Sequence, residues 1–253
     1  MHTIDDRKLT NDLRQQTVGE IVSSDYRNAE VFKRYDIDFC CGGDIPLTQA
    51  CADKDADVNA VIRDLQQVSK LETASENYDQ WNLDFLADYI VNEHHGYTKQ
   101  VIPQLNAFAE KVAMVHGDRH PETRDIADIW SKMSGNMITH MQREELQLFP
   151  YIKKLVQAGD GEKPVTPPAF DSASGLITEL ENDHDDTGNG LAKLDRLSDR
   201  FTPPQDACNT YRALYASLQE FTAKTKEHIH LENNILFPKA IQLVKSDREE
   251  VPQ

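Results

Sequence analysis

The chain has 253 residues, enough for one large domain or two modest ones, and 27 Lys and Arg against 43 Asp and Glu give a formal net charge of −16. Such a field repels phosphate backbones and anionic head groups, which argues against nucleic-acid and membrane-surface binding. Charged side chains interrupt every apolar stretch before a spanning length is reached, no basic-then-apolar leader opens the chain, and 4 cysteines are too few for a disulfide scaffold, so a cytoplasmic protein with reduced thiols is expected.

In chain order, helix formers run almost from end to end, and no stretch alternates with β-branched residues as a strand would. The predicted fold is all-α. Short helices over 17–22, 29–35 and 58–71 make a small N-terminal domain, 1–72. At its centre stands Asp36-Ile37-Asp38-Phe39-Cys40-Cys41-Gly42-Gly43, where the paired glycines mark a tight turn and put the thiols on an exposed loop. Cys40 and Cys41 are too close for an ordinary disulfide without strain. Their adjacency points instead to binding a soft metal, to thiol exchange, or to contact with a damaged cluster in a partner. Cys51 and Cys208 belong to no such motif and read as structural.

Polar residues 72–80 read as a linker to a second domain, 80–248, with long helices at 81–115, 121–157, 171–201 and 204–245. The first break, His116-Gly117-Asp118-Arg119-His120-Pro121, pairs a helix-ending Gly with Pro at a new first turn. Thr202-Pro203-Pro204 makes another by removing two donors, and Gly159 to Pro168 forms a longer crossover. Short, long and short loops predict two helical hairpins packed as a four-helix bundle.

Within that bundle lies a near-repeat, His140-x3-Glu144-x4-Phe149-Pro150 and His228-x3-Glu232-x4-Phe237-Pro238, its copies 88 residues apart. Helix positions i and i+4 share a face, so each copy aims an imidazole and a carboxylate at one point. A single such pair is commonly a solvated side-chain contact. Two copies are joined by a histidine on each partner helix, His95 lying 45 residues before His140 and His184 lying 44 before His228. Residues in an antiparallel hairpin are level when the turn falls midway between them, and both midpoints, 117.5 and 206, fall in the predicted turns.

The expected constellation is therefore His95, His140, Glu144, His184, His228 and Glu232. Four imidazoles and two carboxylates suit two iron or manganese ions with bridging carboxylates better than one zinc ion. Any oxo or hydroxo bridge between such ions would matter to charge balance, so reduction should loosen the site. Periodicity does not choose between His94 and His95. A ferritin-like site needs Glu-x-x-His on two helices, and only Glu181-Asn182-Asp183-His184 fits. His116 and His120 fall in a loop, His2 in a tail, and His230 points away from its neighbour His228. The two Phe-Pro pairs are expected to pack the bundle or bend its helices.

The run Tyr35 to Gly43, followed by His140-Met141-Gln142-Arg143-Glu144-Glu145 and by His228 through Pro238, closely resembles the Repair of Iron Centers (RIC) family over nearly the whole chain. The resemblance implies a small domain bearing the Cys-Cys motif joined to a hemerythrin-like four-helix bundle with a non-haem di-iron centre. Carried over, the family's ligands fall on His95, His140, Glu144, His184, His228 and Glu232, the glutamates bridging. The ungapped run Tyr89-Ile90-Val91-Asn92-Glu93-His94-His95 selects His95 over His94.

An N-terminal extension, a longer crossover and His230 are the departures, and none removes a ligand. The implied function is repair of iron-sulfur clusters damaged by nitric oxide or oxidants, by release of iron to damaged or apo iron-sulfur proteins. Cys40 and Cys41 would receive electrons or contact the acceptor. Alternatives are a di-iron nitric oxide reductase producing nitrous oxide, since positions remain for small ligands, and hemerythrin-like O2 binding or sensing. True hemerythrins use five histidines with two carboxylates and need no Cys domain. The short N-terminal module suggests a homodimer.

Overall fold

The computed structural model describes residues 13–70, 77–158 and 173–249. The tail with His2, residues 72–76 of the predicted linker and the 159–168 crossover lie outside the described residues. Among those described, every regular element is helical, and no helix is long and apolar enough to cross a membrane. The chain divides into two compact units, Met1–Asn82 with Ile229–Lys239 and Leu83–His228 with Ala240–Gln253. This differs from the expected 1–72 and 80–248 division, because part of the last long helix groups with the N-terminal residues.

In the first unit, α1 (Val18–Ser24) starts at a capping box. Thr17 Oγ1 accepts the Glu20 N–H at 3.2 Å and Glu20 Oε2 accepts the Thr17 N–H at 2.8 Å, satisfying two donors the helix leaves free. Then come α2 (Ala29–Arg34), α3 (Leu47–Asp53) and α4 (Val58–Val68), the last capped by Asp57, which accepts the Asn59 N–H at 2.9 Å. Sequence periodicity does not reveal α3, because seven residues are too short to establish a stripe. Its Leu47 nevertheless joins Val18, Val22, Val31, Phe32 and Val61 in a fully buried core. Tyr78–Gln80, read as linker, is a 3-10 turn whose Tyr78 is buried edge-on against Trp81 at 4.9 Å.

The turn after the cysteines closes tightly. The Gly19 N–H donates to the Gly43 carbonyl at 2.7 Å. A Cβ on Gly43 would stand 2.8 Å from the Phe39 carbonyl oxygen and 2.7 Å from Asn234 Oδ1, so only a hydrogen fits.

The second unit is built from α5 (Leu83–Tyr89), α6 (Gly96–His116), α7 (Glu122–Arg143), α8 (Phe149–Ala158), α9 (Ala173–Leu197), α10 (Asn209–Leu231) and α11 (Phe237–Glu249), the start of α11 belonging to the first unit. Three of the four long helices expected from sequence are each interrupted by one wide π turn, at Ile90–His95, Glu144–Leu148 and Glu232–Leu236. The α6, α7, α9 and α10 segments share a core that includes Leu105, Ile126, Trp130, Leu194, Tyr211, Leu218 and Phe221. Trp130 meets Phe221 edge-on at 4.8 Å and donates its indole N–H to Asn106 Oδ1 at 2.7 Å.

Helix α9 ends short of the expected residue 201. Asp199, Arg200 and Phe201 take left-handed φ values of 49°, 55° and 58°, and the Ser198 hydroxyl accepts the Phe201 N–H at 2.9 Å. The helix is thus stopped before Pro203 and Pro204 are reached.

A Gly43→Ala substitution should lower the unfolding free energy by about 1–3 kcal/mol, because the new methyl meets a backbone carbonyl that cannot swing away. Urea denaturation checks this; an unchanged midpoint would mean the turn has room to open.

Candidate metal centre

His95, His140, Glu144, His184 and His228 all lie in the second unit, and all are buried. The ligand atoms of His95, Glu144 and His228 fall within 4.8 Å of one another, and so do those of His140, Glu144 and His184. His95 Nε2 stands 3.2 Å from His228 Nε2, and His184 Nε2 stands 3.0 Å from His140 Nε2. Glu144 serves both pairs: Oε2 is 3.4 Å from His95 Nε2 and Oε1 is 3.1 Å from His140 Nε2. Two ligands at right angles on one ion, with bonds of about 2.1 Å, stand about 3.0 Å apart. The spacings thus fit one ion for each histidine pair, with a carboxylate oxygen facing each.

Glu144 tests whether a cation belongs there. Both oxygens are buried and neither has a hydrogen-bond partner of proper geometry, although the imidazoles are near. Burial pushes this carboxyl up, but His140 and His95 more than offset that and hold it well below the usual carboxylate range. With those rings neutral, as metal ligation requires, that offset is lost and a dry carboxylate without donors costs several kcal/mol, while the chemistry of the donor set, imidazole nitrogen plus carboxylate, is that of a metal site.

A further layer orients the rings. His95 Nδ1 contacts Glu145 Oε1 at 2.7 Å, and Lys99 Nζ donates to the same oxygen at 2.6 Å. Burial raises the Glu145 carboxyl, but Lys99 and His95 outweigh it and hold the group low. On the other side His140 Nδ1 contacts Asp183 Oδ2 at 3.2 Å, and Arg143 Nη1 donates to that oxygen at 3.3 Å. A carboxylate at Nδ1 accepts a hydrogen bond from the ring N–H there, which keeps the proton on Nδ1 and leaves the Nε2 lone pair facing the centre. Sequence reasoning missed Glu145, Asp183, Lys99 and Arg143. Adjacency of Glu145 to Glu144 and of Asp183 to His184 was the available signal.

Glu232 follows His228 by one helical turn, is fully buried, and opens the last π turn. Both repeat glutamates occupy that position: the Phe149 N–H bonds the Glu144 carbonyl, and the Phe237 N–H bonds the Glu232 carbonyl, each spanning five residues. Pro150 and Pro238 come next, lacking the N–H that a regular turn would use. The Phe-Pro pairs therefore mark where the ligand-bearing helices widen. Phe149 also stacks on the His95 ring, with centroids 5.8 Å apart.

Neighbouring histidines take other places. His94 is buried beside His95 but stacks on the His228 ring at 5.5 Å and meets Tyr89 edge-on at 5.6 Å. His230 lies in the first unit against Tyr26 and Phe39, with Nδ1 3.1 Å from Asn234 Nδ2, and burial pulls its pKa down to about 4. His116 ends α6 rather than lying in the loop, and its Nε2 is 3.2 Å from Cys208 Sγ. Cys51 is buried in the first core, as a structural residue would be, whereas Cys208 is exposed.

The exposed dithiol loop expected from sequence is corrected by the structure. Cys40 is only 2% exposed, and Cys41 is half-buried. The hydrogen bond with Cys41, burial and the nearby Asp38 charge all push the Cys40 thiol well above its ordinary value, so Cys40 is no free-standing thiolate. The loop is held by Asn234, whose Nδ2 donates to the Phe39 carbonyl at 3.2 Å and the Cys40 carbonyl at 3.4 Å, and by Asn233, donating to the latter at 3.4 Å.

Comparison with known proteins agrees with this organisation. Residues 86–240 match the hemerythrin HHE cation binding domain, and residues 14–69 match ScdA_N, a domain of unknown function (DUF542). The iron-sulfur cluster repair protein YtfE of Yersinia pseudotuberculosis serotype O:1b (strain IP 31758) is 36% identical over 231 residues, covering 91% of this chain and 99% of that protein. Its counterpart from Musicola paradisiaca (strain Ech703) is 35% identical over 229 residues, 90% of this chain and 97% of that protein.

Glu144→Leu should lower the metal content of the purified protein by about half or more, since it takes away the carboxylate that faces both histidine pairs. Elemental analysis of the variant checks this, and an unchanged metal content would make Glu144 a structural residue instead.

Proposed function

The chain belongs to the hemerythrin-like family of iron-sulfur cluster repair proteins, and on that premise we propose that it restores damaged clusters by handing on iron. The observation that carries this reading is the Glu144 carboxylate, buried without hydrogen-bond partners, with one oxygen toward each pair of imidazole nitrogens. His95 and His228 would hold one iron ion and His140 and His184 the other, with Glu144 bridging and Glu232 kept as the further ligand that the sequence repeat implies. The ions are the cargo. Two carboxylates are a sparse anionic set for two multivalent cations, which suits a site that must let them go.

The chain's own part is to keep that set ready. Glu145 and Asp183 hold the ring protons of His95 and His140 on Nδ1, so Nε2 stays bare as an ion arrives or leaves. Lys99 and Arg143 fix those two carboxylates in turn. Phe149, against the His95 ring, keeps that flank dry. The acceptor is a damaged or apo iron-sulfur protein, met in the cytoplasm by a homodimer, and Cys40 and Cys41 act in the contact with it.

The test is transfer. Iron-loaded protein is mixed with a partner whose cluster has lost iron but kept its sulfide, and both iron pools are followed. The partner should regain cluster absorption as the donor loses a matching amount of iron. His140→Ala should abolish this, and Cys40→Ser with Cys41→Ser should keep the bound iron yet slow transfer by about tenfold. Turnover of nitric oxide to nitrous oxide with iron retained and no cluster restored would replace this reading by that of a reductase.

A further inference from the structure

The proposed iron site contains no sulfur, yet a second group of ligand atoms in the first unit does. Cys40 Sγ and Cys41 Sγ are 3.9 Å apart, Cys40 Sγ is 3.1 Å from Asp38 Oδ1, and the ligand atoms of all three residues lie within 4.8 Å of one another. Two thiolates on a tetrahedral ion with metal–sulfur bonds of about 2.3 Å stand about 3.8 Å apart. We propose that Asp38, Cys40 and Cys41 form a second metal site, which takes one thiophilic divalent cation in tetrahedral coordination.

The loop is already shaped for this. Asp38 Oδ1 accepts the N–H groups of Cys40 at 2.9 Å and Cys41 at 3.3 Å, and Oδ2 accepts that of Gly42 at 3.3 Å. These bonds curl the backbone so that two adjacent side chains, which would diverge in an extended strand, present their sulfurs on one side. From behind, Asn233 and Asn234 hold the Phe39 and Cys40 carbonyls, so little ordering remains to be done on binding. Asp38 is exposed and Cys41 half-buried, which gives an ion a way in from solvent. Binding exchanges both thiol protons for the ion: one M2+ and two thiols give a dithiolate complex and two protons in solution, with no change of oxidation state.

Three ligands leave a fourth position for water or for a sulfur of another protein. This deepens the repair reading and rests on it for its purpose. Ferrous iron released by the histidine–glutamate cluster would pass to a sulfur site resembling the cysteines of a cluster, and then move by thiolate exchange. Asn233 and Asn234 lie in the π turn that Glu232 opens, so the loop and a proposed iron ligand share one segment of chain.

The experiment is titration of the iron-loaded full chain with Co2+, followed by near-ultraviolet absorption and proton release. The account expects a thiolate-to-cobalt charge-transfer band saturating at about one equivalent, with about two protons released. The band should vanish in Cys40→Ser with Cys41→Ser, weaken by about tenfold in affinity in Asp38→Asn, and persist in Cys51→Ser and Cys208→Ser. If the double variant does not fold, Cys41→Ser at its half-buried position carries the test. Absence of the band in iron-loaded wild type, or its persistence without the two cysteines, overturns the site while leaving the iron reading intact. A sulfur band in a chain that holds no iron at its histidines would do the reverse.

Discussion

The second unit is organised around one electrostatic constraint, a carboxylate sealed in a dry interior with no donor properly aimed at it. Glu144 is fully buried, with imidazole nitrogens of His140 and His95 at 3.1 and 3.4 Å. An interior of this kind is costly unless positive charge occupies the space the oxygens face. The same space is where the His95–His228 and His140–His184 pairs direct their Nε2 atoms. A packed apolar core of similar volume would be more stable, so the polar cluster is the expense the fold carries for its chemistry.

Helix geometry follows from that requirement. A regular helix would carry the ligand rows through the bundle without a break, yet wide turns appear where His95 ends one segment and where Glu144 and Glu232 begin others. Such turns commonly sit at functional sites, because an extra residue shifts side chains around the helix axis. Pro150 and Pro238 remove a donor next to two of them. Glu145 and Asp183 then set the rings from outside the cluster, each secured by a cation at the rim.

Much of this was legible in the sequence, because helix periodicity and hairpin symmetry are strict. The repeat and the hairpin midpoints, both in loops, pointed to His95, His140, Glu144, His184 and His228, whose ligand atoms lie close together within the second unit. What stayed hidden depended on three-dimensional context. The π turns leave no periodic trace, and the ring contacts of Glu145 and Asp183 join residues about 40 to 50 positions apart. The paired glycines foretold the turn after Cys41, but the hold on the Cys40 carbonyl comes from Asn234, nearly 200 residues later in the chain. Helix α9 stops through three left-handed residues that the sequence reads as ordinary helix formers.

The most direct measurement is the metal content of purified protein, taken with its optical spectrum before and after reduction and with the elements bonded to the metal read by X-ray absorption. The account predicts about two iron ions per chain, surrounded by nitrogen and oxygen, with a ferric spectrum that reduction bleaches. A single zinc ion, or no metal in protein purified without chelators, would contradict the six-residue centre and the repair role built on it.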